Sequence, residues 1–587
     1  MGNVGIEATR FLVGAIDFGT TYSGWAFSFK HEYEADPTKA TVKHWLSKSG
    51  NLVTNKTPTC LLIKPDGKTF QAFGYDAENE FRDLVDKNQH GNYYFFKRFK
   101  MKLFKKLGKD LKRDITLEDE FGKSLLATDI FAMSVKFLAD DMLANAGKGI
   151  DGILKSSEIH WVLTVPAIWS DAAKQLMREA AGKAGICKER LTIALEPEAA
   201  SLYCRHLSVH KNVGSSEFSI SKLPDGSTYI VVDAGGGTID VTVHETGSAH
   251  TLREVRAASG GDWGGTMVDK AFENLLITVV GKEVYDKFKV EETEDWLDML
   301  REFECKKRET MVDSNSRIGM RFPVSLADLL AETQCSIHEN ITSSKYVGMI
   351  EQRRDRIKFS NEVFINLFED SLKKTTSHIK SLMSEGMMKE VKVLLMVGGY
   401  SESPLLQHAI KEALPEIQVV IPYDASSVVL RGALIFGHNP LSVTERILKY
   451  TYGTTYTPLF VEGKHPESKR FTSDDGDRCL DVFSKFIELG QTVKPGETQI
   501  TKSYFTLKKD QLALLFEIYA TEKSDPLFSD EEGCVEIGKL RIELDKECDE
   551  PERAVKLSML FGGTEIIVEV EDEVTGNKNI TTLDFLG

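Results

Sequence analysis

The sequence is short of several things. Its eight cysteines, at 60, 187, 204, 305, 335, 479, 534 and 548, are scattered and form no CxxC pair. That pattern leaves reduced, mostly structural thiols in a reducing compartment. No apolar run approaches the roughly 18 residues that span a bilayer. The first ten residues, MGNVGIEATR, contain no apolar core of a signal peptide, and Ile6 stands where a myristoylation motif at Gly2 wants serine or threonine. Asn340 and Asn579 open glycosylation triplets that carry no weight without a secretory route. Positive charge is in deficit: 73 Lys and Arg against 89 Asp and Glu give a formal net charge of −16. This argues against a general binder of nucleic acid or anionic membrane. No GxxxxGK[ST] motif occurs, so a P-loop fold is not supported. These absences point to the cytoplasm, with the nucleus as a second compartment. A 41% hydrophobic content is enough for sizeable cores.

What is present is a repeated grammar. Residues 228–243 read TYIVVDAGGGTIDVTV: a β-rich run ends in Asp233, then Gly235, Gly236, Gly237 and Thr238 turn the chain, and a second run carries Asp240. Glycines admit positive φ and remove every Cβ, so backbone N–H groups can approach an anion closely. A plain hairpin loop is the other reading of this stretch alone. Residues 11–29, FLVGAIDFGTTYSGWAFSF, repeat it, with Asp17 ending the strand and Gly19, Thr20 and Thr21 forming the turn. The separation is that of a domain-scale internal repeat. Two facing phosphate loops, each preceded by a carboxylate, suit a nucleoside triphosphate with Mg²⁺, whose water shell the carboxylates would hold.

Other stretches carry weaker signals. Glu196 closes a short apolar run before Pro197-Glu198-Ala199-Ala200, and reads either as a general base or metal-shell ligand or as an exposed loop acid. Gly260, Gly261, Gly264 and Gly265 mark a loop where backbone and ligand could meet. Glu304, Lys307 and Arg308 share a helix face at i, i+3 and i+4, which alone reads as a solvated, salt-bridged surface. The strand 391–397 runs into Gly398-Gly399-Tyr400 and a helix, a step that presents a helix N-terminus to a ligand. Residues 93–100, YYFFKRFK, read as an amphipathic helix with a basic face. Helical periodicity runs over 124–145.

The pair IDFGTTYS (16–23) and VVDAGGGTIDV (231–241) resembles the actin-like ATPase superfamily, and within it the 70-kDa heat-shock proteins, nearest in wording to their divergent member-12 branch. The resemblance covers about the first 440 residues well and the remainder weakly. It implies an α/β fold: a two-lobed, actin-like (duplicated ribonuclease-H-like) ATPase domain over 11–440, with lobes near 11–205 and 206–440, behind a tail at 1–10. A β-sandwich over 441–587 would bind a protein or peptide client, without the family's helical lid. The resemblance puts Lys97 on the catalytic lysine. It assigns Gly19, Thr20, Thr21, Tyr22 and Gly235, Gly236, Gly237 and Thr238 to the phosphates, Thr238 also to catalysis, and Asp17, Glu196 and Asp233 to catalysis and to the Mg²⁺ water shell. Asp240 would orient water. Gly264, Gly265, Glu304, Lys307, Arg308, Gly398, Gly399 and Tyr400 would hold phosphate and adenosine. Pro166 and Lys174 would relay nucleotide state to the client domain.

The chain also departs from the family pattern. Glu198 replaces a threonine. Gly264-Gly265-Thr266-Met267 lacks an acid, and Met311 replaces a serine. Tyr400 and Glu402 replace a serine and an arginine, which deletes a cation–base stack worth about 1–2 kcal/mol. Residues 444–450 replace an acidic, leucine-rich linker. The implied function is an atypical chaperone ATPase working with ATP, ADP and Mg²⁺ and with co-chaperones. A nucleotide-gated binding scaffold with little turnover and a small-molecule kinase on the same fold are the alternatives.

Overall fold

The apolar run before each aspartate is a buried strand, and its neighbours explain why it is apolar throughout. In the computed structural model, which describes residues 11–46, 53–104, 111–149, 154–207, 211–212, 220–312, 316–333, 336–473, 476–497, 499–506, 511–544 and 553–586, β1 (Leu12–Phe18) and β2 (Tyr22–Phe29) form an antiparallel hairpin. The expected tail at 1–10, with Gly2, lies outside the described residues, as do Cys335 and Cys548. On its other edge β1 takes β3 (Ile159–Val165) in parallel, and β4 (Leu191–Leu195) runs parallel to β3. Strands of β1 and β3 are buried along their whole length, as parallel strands covered on both faces must be. Helix α1 (Glu196–His206) leaves β4 directly, with Pro197 in its first turn where the missing N–H costs nothing.

The same arrangement recurs. β5 (Thr228–Ala234) and β6 (Ile239–Thr246) form the second hairpin, with Asp233 opposite Asp240, and β7 (Leu252–Gly261) continues antiparallel to β6. Three long helices follow: α2 (Thr266–Val280), α3 (Thr293–Glu309) and α4 (Asn361–Met383). β8 (Val393–Val397) then pairs in parallel with β5, and β9 (Gln418–Ile421) with β8. The order β9-β8-β5-β6 therefore carries the pairing senses of β4-β3-β1-β2. The stretch 93–100 is not a helix. Tyr94–Lys97 is a strand paired with Cys60–Ile63, Arg98 turns the chain at φ 52°, and a short helix, Lys100–Phe104, follows. Buried Phe95 and Phe96, both fully covered, favour extended backbone over a helix with one exposed face.

Helix α5 (Val428–His438) crosses α1, and the pair touches both sheets. Ala199 and Leu202 pack with Leu430, Ala433 and Leu434 against Val13, Ala15 and Val162. Ala200 and Cys204 pack with Val428 and Val429 against Tyr229, Val231 and Leu395. The crossing is tight because residue 432 is glycine: a Cβ there would overlap the carbonyl oxygen of Ala199. Gly432→Ala is expected to destabilise the fold by about 3 kcal/mol, since backbone cannot yield as a side chain does. Urea unfolding followed by tryptophan fluorescence checks this, through a lowered midpoint of the first transition.

After α5 the chain forms β10 (Val443–Ile447), which pairs with β7 and with Thr492–Val493. The residues between the two halves of the chain are thus part of a sheet. Beyond them, Val482–Ile487, Thr451–Tyr456, Ala513–Thr521 and Val535–Glu543 form one four-stranded sheet; Gln499–Phe505, Ala554–Leu560, Ile567–Asp572 and Lys578–Thr582 form another. Tyr452, Phe516 and Ile518 from the first share a core with Leu557, Met559 and Val568 from the second. Among the described residues no helix is long and apolar enough to cross a membrane.

Candidate functional site

The two hairpin turns face each other. A Cβ at Gly236 would collide with Thr21 Oγ1, and one at Gly237 would stand 2.5 Å from Thr20 Oγ1. Each turn is held by its own side of the molecule. Thr59 Oγ1 donates to Gly19 O at 2.7 Å, and Thr59 N–H to Thr21 O at 2.8 Å. Gly235 N–H donates to Thr238 O at 2.9 Å, closing the second turn. The glycine loop after β7 then clamps that turn from behind. Gly264 N–H donates to Gly237 O (3.2 Å), Gly265 N–H to Gly235 O (3.3 Å) and Thr266 N–H to Gly236 O (2.7 Å). Thr20 and Thr238 are buried at 9% and 5% exposure, so both hydroxyls belong to an enclosed site.

Three carboxylates and two lysines meet beside these turns. Asp17 accepts from Thr164 Oγ1 at 2.9 Å and from Lys56 Nζ at 2.5 Å. Glu196 accepts from Lys100 Nζ at 2.8 Å. Burial pushes the Glu196 carboxyl up to about 7, with Lys100 pulling the other way. Burial, then Glu196 and Asp240, hold Asp233 well above the usual carboxylate range. Asp233 Oδ2 has no hydrogen-bond partner among the described residues. Gly398 closes against this acid: at φ 83°, a Cβ there would stand 2.5 Å from Asp233 Oδ1. Asp240 Oδ1 accepts from Ile168 N–H at 2.9 Å, just past Pro166, while its Oδ2 has no hydrogen-bond partner among the described residues.

Lys97 is not brought to this cluster. Its Nζ lies 3.4 Å from Glu78, which also takes Arg301 of α3 at 2.8 Å. The lysines at the carboxylates are Lys100 and Lys56, and sequence reasoning missed both. The positive φ at Arg98 separates Lys97, at the end of a strand, from Lys100, at the start of a helix. Arg98 itself pairs with Asp269 of α2 at 2.6 Å.

The expected nucleoside residues do gather. Lys307 Nζ lies 2.5 Å from Glu304 and 2.6 Å from Asp269, and Arg308 Nε 2.9 Å from Glu304. Lys307 and Arg308 hold the Glu304 carboxyl down to about 2 against the opposing effect of burial. Arg308 lies over the Tyr22 ring at 5.3 Å, which joins α3 to the first turn. Tyr400 turns inward: its hydroxyl shares a hydrogen bond with Ser371 at 3.1 Å, and its ring lies against Gly265. A side chain at Gly399 would meet only open space. Burial raises the Glu402 carboxyl, with the Arg308 charge lowering it and Asp424 adding to the rise.

A second set of contacts runs from this site to the C-terminal strands. Glu198, two residues along α1 from Glu196, pairs with Arg446 of β10 through two bonds of 2.7 Å. Arg446 also donates to Gly562 O. Glu254 of β7 accepts from Ile447 N–H at 3.0 Å, and burial, then Glu198, push its carboxyl up to about 8. Lys174 pairs with Asp171 at 3.1 Å, and Tyr452 Oη reaches Asp171 at 3.4 Å. Arg178 pairs with Glu565. Asp171, Lys174, Glu254, Arg446, Tyr452 and Glu565 border a cavity of about 1100 Å³ that lies away from the phosphate turns.

The two turns, with Thr20 and Thr238 buried on them and the ammonium groups of Lys56 and Lys100 beside them, offer hydroxyl, backbone and cationic groups to a polyphosphate. A hydrated divalent cation among Asp17, Glu196 and Asp233 does not fit this arrangement, because Lys56 and Lys100 already engage Asp17 and Glu196. Comparison with known proteins agrees with the phosphate reading. A family model described as Hsp70 protein matches residues 85–439. The chain is 32% identical to the human "Heat shock 70 kDa protein 12A" over 635 residues, covering 100% of this chain and 93% of that protein. It is 33% identical to the human "Heat shock 70 kDa protein 12B", covering 99% and 92%. It is 27% identical to "Chaperone protein DnaK" of Trichormus variabilis over 316 residues, covering 53% and 38%.

Proposed function

The chain belongs to the 70-kDa heat-shock protein family, member-12 type, with the actin-like ATPase fold and ATP or ADP as its ligand class, and on that premise we propose that it is an atypical chaperone-type ATPase. Nucleotide sits in a cleft between two lobes, each built on one of the repeated sheets. Its occupancy biases the grip of a C-terminal β-sandwich on a protein client, in the cytoplasm. The observation that carries this reading is the facing pair of turns, Thr20-Thr21 against Gly236-Gly237. Catalysis in such a site is mainly positioning and charge neutralisation. Lys100 faces the phosphates and the attacking water, and Glu196, its carboxyl pushed up to about 7 by burial, accepts a hydrogen bond from Lys100 and takes one from the water. Coupling to the client runs along α1, whose first turn carries Glu196 toward the nucleotide and Glu198 toward β10. That is allostery in the linkage sense, with one element biased by both sites.

A second reading, a nucleotide-gated scaffold with little turnover, is favoured by one specific observation. Glu196, an acid placed for a water-activating role, is already engaged by Lys100 within the protein. Steady-state phosphate release with and without an unfolded peptide separates the two: measurable, peptide-stimulated release supports the chaperone ATPase, and release at background supports the scaffold. A small-molecule kinase would pass phosphate to an added polyol, and the C-terminal β region, which such kinases do not need, argues against it.

The adenine end is altered. Glu402, acted on by the Arg308 charge, stands at the position where ordinary members carry an arginine for stacking. Glu402→Arg is expected to tighten ATP binding about tenfold, the equivalent of one restored cation–π contact. Calorimetric titration checks it, and an unchanged affinity would remove the base-stacking argument.

A further inference from the structure

Lys56 belongs to the segment Asn55-Lys56-Thr57-Pro58, and Thr57–Pro58 pairs with β2 at Tyr22 and Ser23, beside the first phosphate turn. That pairing delivers the side chain to the end of β1. Nζ donates to Asp17 Oδ2 at 2.5 Å, with the lysine side chain 16% exposed and the aspartate 4%. Glu196 and Asp233 also act on the Lys56 charge. One ammonium therefore engages Asp17 directly and feels the charges of Glu196 and Asp233, the three carboxylates that a divalent cation would otherwise use, drawn from both hairpins and from α1. Lys100, 2% exposed, engages Glu196 from the other side. The two fixed cations counter a cluster of acids that would repel a polyphosphate.

An isolated buried ion pair would be a costly way to stabilise this core, because desolvation cancels most of the attraction. A ligand-facing role accounts better for the geometry. An ammonium has three donors, of which Asp17 takes one, so donors remain for phosphate oxygens held by the Thr20-Thr21 and Gly235–Gly237 turns. A metal ion brought among these carboxylates would have to displace Lys56 from Asp17 or accept its repulsion.

We propose that the Lys56 ammonium takes the place of the divalent cation in this chain, so that nucleotide binds between the two turns without Mg²⁺. This rests on the nucleotide reading above. Lys56 holds Asp17 and the β- and γ-phosphate oxygens together, and Lys100 does the same with Glu196.

The test is calorimetric titration of the full-length chain with ATP, in EDTA and in excess Mg²⁺. Wild type is expected to bind with affinities within about threefold of each other in the two buffers. Lys56→Met is expected to lose about 30-fold or more in EDTA and to recover most of it in Mg²⁺, because an emptied cation position can then take the metal. Lys56→Arg keeps the charge and is expected to stay metal-independent. Mn²⁺ relaxation of water protons, read on the ADP-loaded protein, is expected to report a bound ion in Lys56→Met and none in wild type. A wild-type affinity that falls about 30-fold in EDTA and returns with Mg²⁺ overturns the proposal while leaving the nucleotide reading intact. No ATP binding in either buffer overturns both. Should Lys56→Met fail to fold, by near-ultraviolet circular dichroism, the wild-type and Lys56→Arg comparison decides alone.

Discussion

Gly264→Ala is expected to abolish ATP binding, lowering affinity by at least about 100-fold, or about 2.7 kcal/mol. The residue makes no contact a sequence motif would advertise. Its role is to let the loop after β7 lie flat on the back of the second phosphate turn. A Cβ at 264 would stand 2.6 Å from Gly235 O, 2.7 Å from Gly236 O and 2.7 Å from the Gly237 carbonyl carbon. All three are backbone atoms, so nothing can rotate away. The methyl group must drive the turn forward, toward Thr20 and Thr21, and break the bonds from Gly264, Gly265 and Thr266 that set its shape. Titration calorimetry measures the loss, and far-ultraviolet circular dichroism is expected to stay unchanged. An affinity within a few fold of wild type would show that the turn does not hold phosphate.

The second large effect lies where the first turn of α1 meets β10. Arg446→Met leaves Glu198, 3% exposed at its side chain, as an uncompensated buried charge. Breaking one partner of such a pair costs about 3–5 kcal/mol. The energy is concentrated on one strand, β10, whose pairing with β7 comprises only the Leu252–Val443 and Arg253–Glu445 partners. The expected result is detachment of β10, read as rapid cleavage by a glutamate-specific protease at Glu445, which wild type resists. Glu198→Leu combined with Arg446→Met removes both charges and is expected to restore most of the resistance, because an apolar pair of similar volume avoids the desolvation cost. Equal sensitivity of the single and double variants would show that the ion pair does not hold the strand.

Both sites show what a sequence yields and what it hides. The facing turns were legible because glycine and threonine after a strand-ending aspartate are a local pattern, written twice. Glu304, Lys307 and Arg308 were legible because helical spacing puts them on one face. The lysines were not. Lys97 and Lys100 are three residues apart, and only the left-handed Arg98 between strand and helix decides which reaches Glu196. Lys56 lies in a run that reads simply as strand, and its position depends on the pairing of Thr57–Pro58 with β2. Glu198 and the altered segment 444–450 each stood out as departures from the family pattern, yet 248 residues separate the partners Glu198 and Arg446. Their opposite charges were the available signal, and only the crossing of α1 with the β10 edge makes it readable. The inward turn of Tyr400 depends likewise on Ser371 of α4, a tertiary contact with no local signature.

The central claim is that both turns close on one polyphosphate. Amide hydrogen exchange of the full-length chain, with and without ADP, measures it directly. The account predicts that peptides covering 18–23 and 234–239 gain protection together, along with 263–267, at the same ADP concentration. Protection of one turn without the other, or of neither while ADP binds elsewhere, would contradict it.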